Sequence, residues 1–322
     1  MIRRIIICIL ISITLAACAG QSFVSAQARY TVIPETIRPG DPVTIAINFS
    51  AADALLIADD KQAGKAVFFP VTSGQDDQNR SRGSRSSGTH PTFMAAILTI
   101  PNTLESSEAV IRLDNESGIV LEIPIKITPR EFRTGVINVT PSLSRLLTTP
   151  DPQRTIESNR LWEILNTTGD TLYHQDKFIL PVTSTRRTSL YGARRVNQYP
   201  DGRRTTEIHA GVDFGIPTGT NVFACGRGMV ILSRHRIITG YTVIIEHAPG
   251  VYSLYYHLDS VIAEEDTIVE AGTLIGLSGS TGFSTGPHLH WEIRVNAEST
   301  YPDAFVSRPL IDKDLIISKI FN

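Results

Sequence analysis

The sequence predicts a mainly β protein in which a short helical connector joins two β-rich domains. A chain of 322 residues fits two domains on the usual prior of about 150 residues each. With 42% hydrophobic and 19% charged residues, it can bury ordinary apolar cores. Many of its 23 glycines and 18 prolines separate short apolar runs, which is typical of antiparallel β structure.

Residues 1–17 have the pattern of an export signal, with two arginines followed by an apolar run. The run is too short for a membrane-spanning helix. Its end, Leu15-Ala16-Ala17-Cys18, resembles the lipobox of bacterial lipoproteins, which implies cleavage before Cys18 and a lipid on its sulfur. The alternative is ordinary cleavage after Ala26, since Val24-Ser25-Ala26 also has the small-x-small pattern. Both interpretations export the protein.

Residues 28–130 are predicted to form a β-sandwich of the immunoglobulin-like type. Short strand-like runs follow one another without a helical period, and turn formers separate them. The role of this domain stays open between a spacer, a surface for a regulatory protein and a lid over another site. Residues 73–90 are a polar insert, interpreted as a solvated surface loop. The alternative is that Arg80, Arg82 and Arg85 contact an anionic polymer or lipid headgroups. The strand-like runs are Val43–Asn48, Ala66–Phe69, Met94–Ile100 and Ile119–Ile127.

Residues 131–180 are predicted to be a connector with one helix. Asp151-Pro152 is a helix-start signal, because proline is tolerated at the first helical position. Apolar residues at helical spacing follow between Ile156 and Leu165. Residues 181–310 return to strand-like runs separated by glycine and proline, which predicts an antiparallel barrel or sandwich. Residues 311–322 are assigned to a C-terminal tail.

Charge and cysteine usage narrow the possible functions. A formal net charge of −2 gives no reason to expect nucleic acid as a partner, since sequence-independent binding to phosphates needs a basic surplus. Of the three cysteines, Cys8 leaves with the signal and Cys18 is the predicted anchor, so no internal disulfide can form in the mature chain. A nucleophilic role for the remaining Cys225 is the alternative to a buried small hydrophobe, which its apolar surroundings favour.

Four histidines and one aspartate gather in the last third of the chain. In a strand, residues two apart share a face, so His288 and His290 are expected to point one way, as are Tyr255 and His257. Histidine and carboxylate suit Zn²⁺, and a catalytic zinc site has three protein ligands and one open position. Five candidates are enough for three ligands and two bases, which indicates an enzyme. The segments are His209-Ala-Gly-Val-Asp213, Tyr255-Tyr-His257 and His288-Leu-His290.

These segments resemble the lysostaphin-type, or LytM-like, zinc endopeptidases of bacterial cell walls. The resemblance covers about residues 190–302 and implies an antiparallel β domain of the LytM type, a duplicated hybrid motif, for residues 181–310. It also implies roles for the five candidates. His209, Asp213 and His290 match the zinc ligands of the family, and His257 and His288 match its non-ligand catalytic histidines.

The resemblance further implies an exported zinc metalloendopeptidase that hydrolyses the peptide part of peptidoglycan in the bacterial cell envelope. The chain would face the periplasm or the outer surface and reach the membrane through the lipid on Cys18. The alternative is a catalytically inactive LytM-like module that regulates or binds peptidoglycan; such modules are expected to have lost ligands, and none is lost here.

Four arginines flank the predicted entrance of the cleft. They are either partners for substrate carboxylates or solvated loop charges. Some relatives use a tyrosine near the oxyanion, but no tyrosine closely precedes His209 and Tyr199 is distant in sequence, so no such role is assigned. The arginines are Arg194, Arg195, Arg203 and Arg204.

Overall fold

The computed structural model describes residues 28–72 and 92–321. The predicted export signal, Cys18, the alternative cleavage site at Ala26 and the polar insert at 73–90 lie outside the described residues. The described part contains twenty-one strands and four helices, which confirms the predicted mainly β class. None of the helices in this part is both long and apolar enough to cross a lipid bilayer.

The N-terminal part is a pair of four-stranded antiparallel sheets packed face to face. Its strands are β1 (Tyr30–Ile33), β2 (Pro42–Ile47), β3 (Asp53–Ala58), β4 (Lys61–Val67), β5 (Phe69–Thr72), β6 (Thr92–Thr99), β7 (Glu108–Asn115) and β8 (Gly118–Lys126). The strand orders are β1-β2-β6-β5 and β4-β3-β7-β8. Ile45 and Leu98 from the first sheet share an apolar core with Leu56 and Ile111 from the second.

The sheet that contains β6 is buried on both of its faces. Leu98 points into the core between the two N-terminal sheets, whereas Phe93, Ala95 and Ile97 belong to the core of the C-terminal part. A strand covered on both faces needs a continuous apolar run, and β6 supplies one in Phe93–Leu98. The N-terminal and C-terminal parts therefore share an apolar core.

The connecting segment contains more regular structure than the one predicted helix. Its elements are β9 (Thr134–Asn138), α1 (Pro141–Thr148) and α2 (Pro152–Asn166). α2 begins as predicted, since the Asp151 side chain accepts a hydrogen bond from the backbone of Gln153 and Pro152 occupies the first turn. α1 has the same kind of start, with Thr140 as its cap, so the connector holds two helices rather than one.

α2 packs on the C-terminal part through a narrower apolar face than its sequence predicts. Ile164 and Leu165 are buried against the strands beneath the helix. Ile156 and Trp162, which the spacing assigns to the same packed face, are 59% and 52% exposed. The helix therefore covers the sheet mainly with its C-terminal end.

The C-terminal part is dominated by one ten-stranded antiparallel sheet. The strands of the whole C-terminal part are β10 (Arg187–Ser189), β11 (Arg194–Gln198), β12 (Arg204–Ile208), β13 (Val212–Phe214), β14 (Asn221–Phe223), β15 (Gly228–Arg236), β16 (Gly240–Ala248), β17 (Val251–Val261), β18 (Ile268–Val269), β19 (Leu274–Ser278), β20 (Leu289–Val295) and β21 (Glu298–Thr300). The main path runs β10-β13-β20-β17-β16-β15-β18, with β14, β19 and β21 paired beside it. β11 and β12 lie outside this sheet: β11 stands between β12 and β9 in a three-stranded sheet, and its pairing with β9 is parallel.

Two short helices close the chain. They are α3 (Pro302–Ser307) and α4 (Lys313–Ile320), and α4 occupies the segment assigned from sequence to a tail. Ile316 and Ile320 are buried in the shared core, and Lys319 Nζ lies 3.0 Å from Glu35 Oε1. The C-terminal end of the chain therefore packs against its N-terminal part.

Candidate metal centre and active site

Three polar side chains meet at one point of the ten-stranded sheet. Asp213 lies on β13 and His290 on β20, and the two residues are direct partners in the antiparallel pairing of these strands. His209 precedes β13, and its backbone N–H donates to the carbonyl of Ala193. His209 Nε2 lies 3.0 Å from Asp213 Oδ1 and 2.9 Å from His290 Nδ1. His290 Nδ1 lies 2.7 Å from the same carboxylate oxygen, so the three predicted ligands converge.

Hydrogen bonds around the two imidazoles aim their free nitrogens at this point. His209 Nδ1 lies 2.8 Å from the carbonyl oxygen of Leu190; a carbonyl only accepts, so Nδ1 donates and Nε2 keeps its lone pair. In the same way, His290 Nε2 donates to Glu292 Oε1 at 2.9 Å and leaves Nδ1 as the inward atom. With an oxygen of Asp213, these atoms form a donor set that fits Zn²⁺.

Because these three side chains are buried, an unpaired charge among them would be energetically costly. His209, Asp213 and His290 expose only 2%, 7% and 7% of their surface. Burial alone would raise the pKa of Asp213, but the two imidazoles beside its carboxylate hold that pKa well below its usual range. Burial alone would lower the pKa of His290, but hydrogen bonds to Asp213 and Glu292 raise it to about 9. The carboxylates therefore stabilise positive charge at the inward atoms, which is the environment that a bound cation needs.

His257 and His288 stand beside the cluster with their Nε2 atoms free. Their ring centroids are 4.8 Å apart. His257 Nδ1 donates to the carbonyl of Thr281, and His288 Nδ1 donates to the carbonyl of Gly286, each at 2.8 Å. Each ring therefore keeps Nε2 as an acceptor, and that of His288 lies 3.9 Å from Asp213 Oδ1. Burial, together with the neighbouring imidazoles, lowers the pKa of His257 to about 3, so its ring is neutral at neutral pH.

His257 reaches the site through a break in the alternation of β17. Its φ is 62°, in the left-handed region, and the pairing of β17 with β16 shifts register at this point. Tyr255 lies in the shared apolar core, whereas Tyr256 stacks on the ring of His290 with centroids 5.4 Å apart. The prediction that Tyr255 and His257 share a face is therefore wrong, because one extra residue in β17 resets the alternation. His288 and His290 do face the same carboxylate.

Two charged residues, Glu292 and Arg195, bind the predicted ligands on the side away from the convergence point, and neither was predicted to do so. Glu292 Oε1 accepts a hydrogen bond from His290 Nε2. Because Glu292 follows His290 by two residues on β20, the two side chains share a face of the strand, and this spacing could have predicted the contact. Arg195 donates through Nη2 to Asp213 Oδ2 and, at 2.9 Å, to Ser189 Oγ. No periodicity relates Arg195 to Asp213, since β11 and β13 belong to different sheets.

The four arginines predicted at the entrance divide into two pairs. Arg194 donates to a backbone carbonyl at 2.7 Å and lies over an aromatic ring at 4.4 Å. Arg194 and Arg195 are thus engaged inside the protein. Arg203 stacks on Tyr199 at 4.3 Å, and Arg204 is exposed on β12. Of the four, only the second pair is exposed to solvent.

Two residues with reactive side chains are part of the apolar core. Cys225 is fully buried, and burial raises the pKa of its thiol to about 12. His247 is also fully buried; its Nδ1 donates to the carbonyl of Arg227 at 2.8 Å, and its Nε2 accepts from Ser253 Oγ at 2.7 Å. Cys225 was predicted to be a buried small hydrophobe, and its burial confirms this.

Comparison with known proteins identifies relatives of the C-terminal part. The model of peptidase family M23 matches residues 207–302. The chain is 40% identical over 124 residues to the DD-carboxypeptidase/endopeptidase Mpg of Neisseria meningitidis, a match that covers 38% of this chain and 28% of that protein. It is 41% identical over 87 residues to the peptidoglycan DD-endopeptidase ShyA of Vibrio cholerae, covering 27% of this chain and 20% of that protein. The chain thus spans less than a third of the length of these curated relatives.

One solved structure is similar over most of the chain. A Pseudomonas aeruginosa protein named for peptidase family M23 superposes with a TM-score of 0.56 at 19% identity. The match covers 84% of this chain and 94% of that structure. At this level of identity, the similarity concerns the fold alone.

Proposed function

We propose that the chain is an exported zinc metalloendopeptidase that hydrolyses peptide bonds of peptidoglycan, because residues 207–302 match the model of peptidase family M23 and resemble its LytM and lysostaphin type. The observation that carries the proposal is the convergence of His209, Asp213 and His290, whose ligand atoms all lie within 4.8 Å of one another. Two further histidines with free Nε2 atoms stand beside them. The names of the relatives from Neisseria and Vibrio support a peptide crosslink of peptidoglycan as the substrate.

The residues present divide into three metal ligands and two histidines that act as acids and bases. When bound, Zn²⁺ lowers the pKa of a water molecule and polarises the scissile carbonyl. His257 is neutral at neutral pH, and the Nδ1 atoms of both His257 and His288 are engaged with backbone carbonyls, so their Nε2 atoms face the site. One of the two accepts the proton that the attacking water loses, and the ring so protonated at Nε2 stabilises the developing oxyanion or passes that proton to the leaving amine. The carbonyls of Thr281 and Gly286 hold both rings in the tautomer that this task needs.

Digestion of purified peptidoglycan tests the proposal directly. The full chain with one equivalent of Zn²⁺ should release peptides whose masses identify a cleaved crosslink or bridge. A well-folded chain that binds zinc in one-to-one ratio but releases no peptide would contradict the proposal and favour an inactive regulatory or binding module. The masses also identify the bond.

Histidine variants test the separate roles of ligands and bases. His290→Ala should lose zinc and activity together, since only two ligands would remain. His257→Ala and His288→Ala should keep zinc and lose at least about a hundredfold in rate, the usual contribution of a positioned acid or base. His235→Ala is the matched control, because His235 is exposed on β15 and away from the cluster. Retained zinc in His290→Ala would show that the ligand assignment is wrong.

We also propose that the protein is anchored in the cell envelope by a lipid on Cys18. The support is the sequence pattern at residues 1–18, together with the envelope substrate of the relatives. Cys18→Ser should abolish incorporation of a labelled fatty acid and release the protein from membranes. Release of a chain that begins after Ala26 would instead support the alternative cleavage site.

The domain limits and the class of the N-terminal fold are part of the proposal. We infer a β-sandwich of the immunoglobulin-like type at 28–130, a connector at 131–180, the zinc peptidase domain at 181–310 and a C-terminal segment at 311–322. The packing of two four-stranded sheets supports the sandwich. We infer that a regulatory partner, if one binds, uses the exposed surface of this sandwich.

A further inference from the structure

We propose that Arg195 is a positioning residue that leaves only one carboxylate oxygen of Asp213 free for the metal ion. The inference rests on the proposed function and adds a residue to its machinery. Arg195 does not belong to the cluster of ligands and bases, and it acts through Asp213. Its effect is to set how many coordination positions the aspartate occupies.

The two oxygens of Asp213 have different partners. Oδ1 faces the inward atoms of His209, at 3.0 Å, and His290, at 2.7 Å. Oδ2 accepts a hydrogen bond from Nη2 of Arg195. The side chains of Arg195 and Asp213 are only 16% and 10% exposed, so water competes weakly for this ion pair. The pair therefore holds Oδ2 away from the point where the ligands converge.

Arg195 is itself held on several sides. Its Nη2 also donates to Ser189 Oγ at 2.9 Å, and that hydroxyl lies 3.2 Å from Nδ1 of His209. Ser189 pairs directly with Asp213 between β10 and β13. Nη1 of Arg195 lies 3.8 Å from Oε1 of Glu207, its cross-strand partner on β12. One guanidinium thus connects the three-stranded sheet to two predicted ligands.

The consequence concerns the open coordination position. A carboxylate binds a cation through one oxygen or through both. A catalytic zinc site keeps a position open for water and substrate, and a second aspartate oxygen would occupy it. A charge-assisted hydrogen bond to Oδ2 opposes that change. Lysine would keep the charge but lacks the rigid planar guanidinium, whose Nη2 donates to both Asp213 and Ser189.

Cobalt substitution makes the coordination number visible. The full chain, Arg195→Gln and Arg195→Lys are loaded with Co²⁺, whose visible absorption is weaker in five-coordinate than in four-coordinate sites. Arg234→Gln is the matched control, because it also removes an arginine paired with a carboxylate, that of Glu265, elsewhere in the C-terminal part. Each protein is also assayed on peptidoglycan as its zinc form.

Arg195→Gln should keep one ion per chain, absorb more weakly as its Co²⁺ form and lose at least about tenfold in kcat, with KM little changed. Arg195→Lys should fall between this variant and the parent, and Arg234→Gln should match the parent in every measurement. An unchanged Co²⁺ spectrum in Arg195→Gln would overturn the inference even if kcat falls, since that pattern marks a role in stability alone. Loss of the ion would overturn it as well. A parent that binds Co²⁺ but does not cleave peptidoglycan would contradict the proposed function, and the spectra would still decide the role of Arg195.

Discussion

Replacement of Glu292 by glutamine should weaken zinc binding while leaving all three ligands in the chain. Glu292 is only 4% exposed, and its two oxygens accept from His290 Nε2 at 2.9 Å and from Arg294 Nε at 2.7 Å. Glutamine has nearly the same shape, so the variant changes the charge behind His290 with little change in packing. His290 then donates to a neutral amide oxygen instead of a carboxylate.

The expected loss can be worked from these contacts. A hydrogen bond to a charged group contributes about 1.5–3 kcal/mol and a neutral one about 0.5–1.5 kcal/mol, so the change is about 1–1.5 kcal/mol. This corresponds to about a tenfold rise in the Kd for zinc, at the lower end of the range of about 10–100-fold for partners of metal ligands. Glu292 also helps to raise the pKa of His290 to about 9, so below that pH a proton competes with the ion for Nδ1. Because the variant relieves this competition, its loss of affinity should be largest near pH 9 and smaller at pH 7.

Competition with a chromophoric chelator at pH 9 measures the effect. Arg294→Gln is the control: it breaks the same buried ion pair but leaves the carboxylate on His290. Both variants should lower the free energy of unfolding by about 3–5 kcal/mol, the usual cost of removing one partner of a buried pair. Only Glu292→Gln should show the larger loss of zinc affinity. Equal affinities in the two variants would refute the reasoning.

Three further predictions concern the core. Burial lowers the pKa of His247 from 6.5 to about 3, so on acidification the unfolded chain binds the proton first and stability falls by about 1.4 kcal/mol per pH unit across that window. In His247→Gln, the slope of unfolding free energy against pH, from urea titrations, should shrink by this amount; an unchanged slope would contradict the prediction. Phe93→Ala should cost about 3–5 kcal/mol in one cooperative urea transition, because Phe93 is 1% exposed in the shared core; two separate transitions would show that the parts unfold independently. With Cys8 and Cys18 replaced by serine, a thiol reagent should label Cys225 only as fast as the protein unfolds, since the thiol is buried and its pKa is raised to about 12; prompt labelling of the native protein would argue against this.

Local sequence patterns predicted the structural features that depend on residues close together in the chain. The β class followed from short apolar runs, and the start of α2 followed from Asp151 and Pro152, whose effects act within one helical turn. The resemblance of their segments to the LytM-like family implied that His209, Asp213 and His290 meet, and the structure brings their ligand atoms together. Their roles as ligands remain proposals.

The rest depended on pairings between distant segments. The left-handed conformation of His257 is imposed by a register shift between β16 and β17, which the sequence of β17 alone does not reveal. The contact of Arg195 with Asp213 joins two sheets and has no periodicity to mark it. The segment of helix α4 was assigned to a tail because its apolar residues are buried only by packing against distant N-terminal strands, which the local sequence does not reveal.

The sheet buried on both faces limits how the N-terminal part can move relative to the proposed active site. If the sheet β1-β2-β6-β5 rotated away from the C-terminal part, Phe93 and Ile97 would lose their core contacts and become exposed to water. This would cost several kcal/mol for the two side chains. Thermal motion at physiological temperature rarely supplies that much energy. The shared core therefore makes separation of the two parts costly, and we expect the first sheet and the C-terminal part to move together.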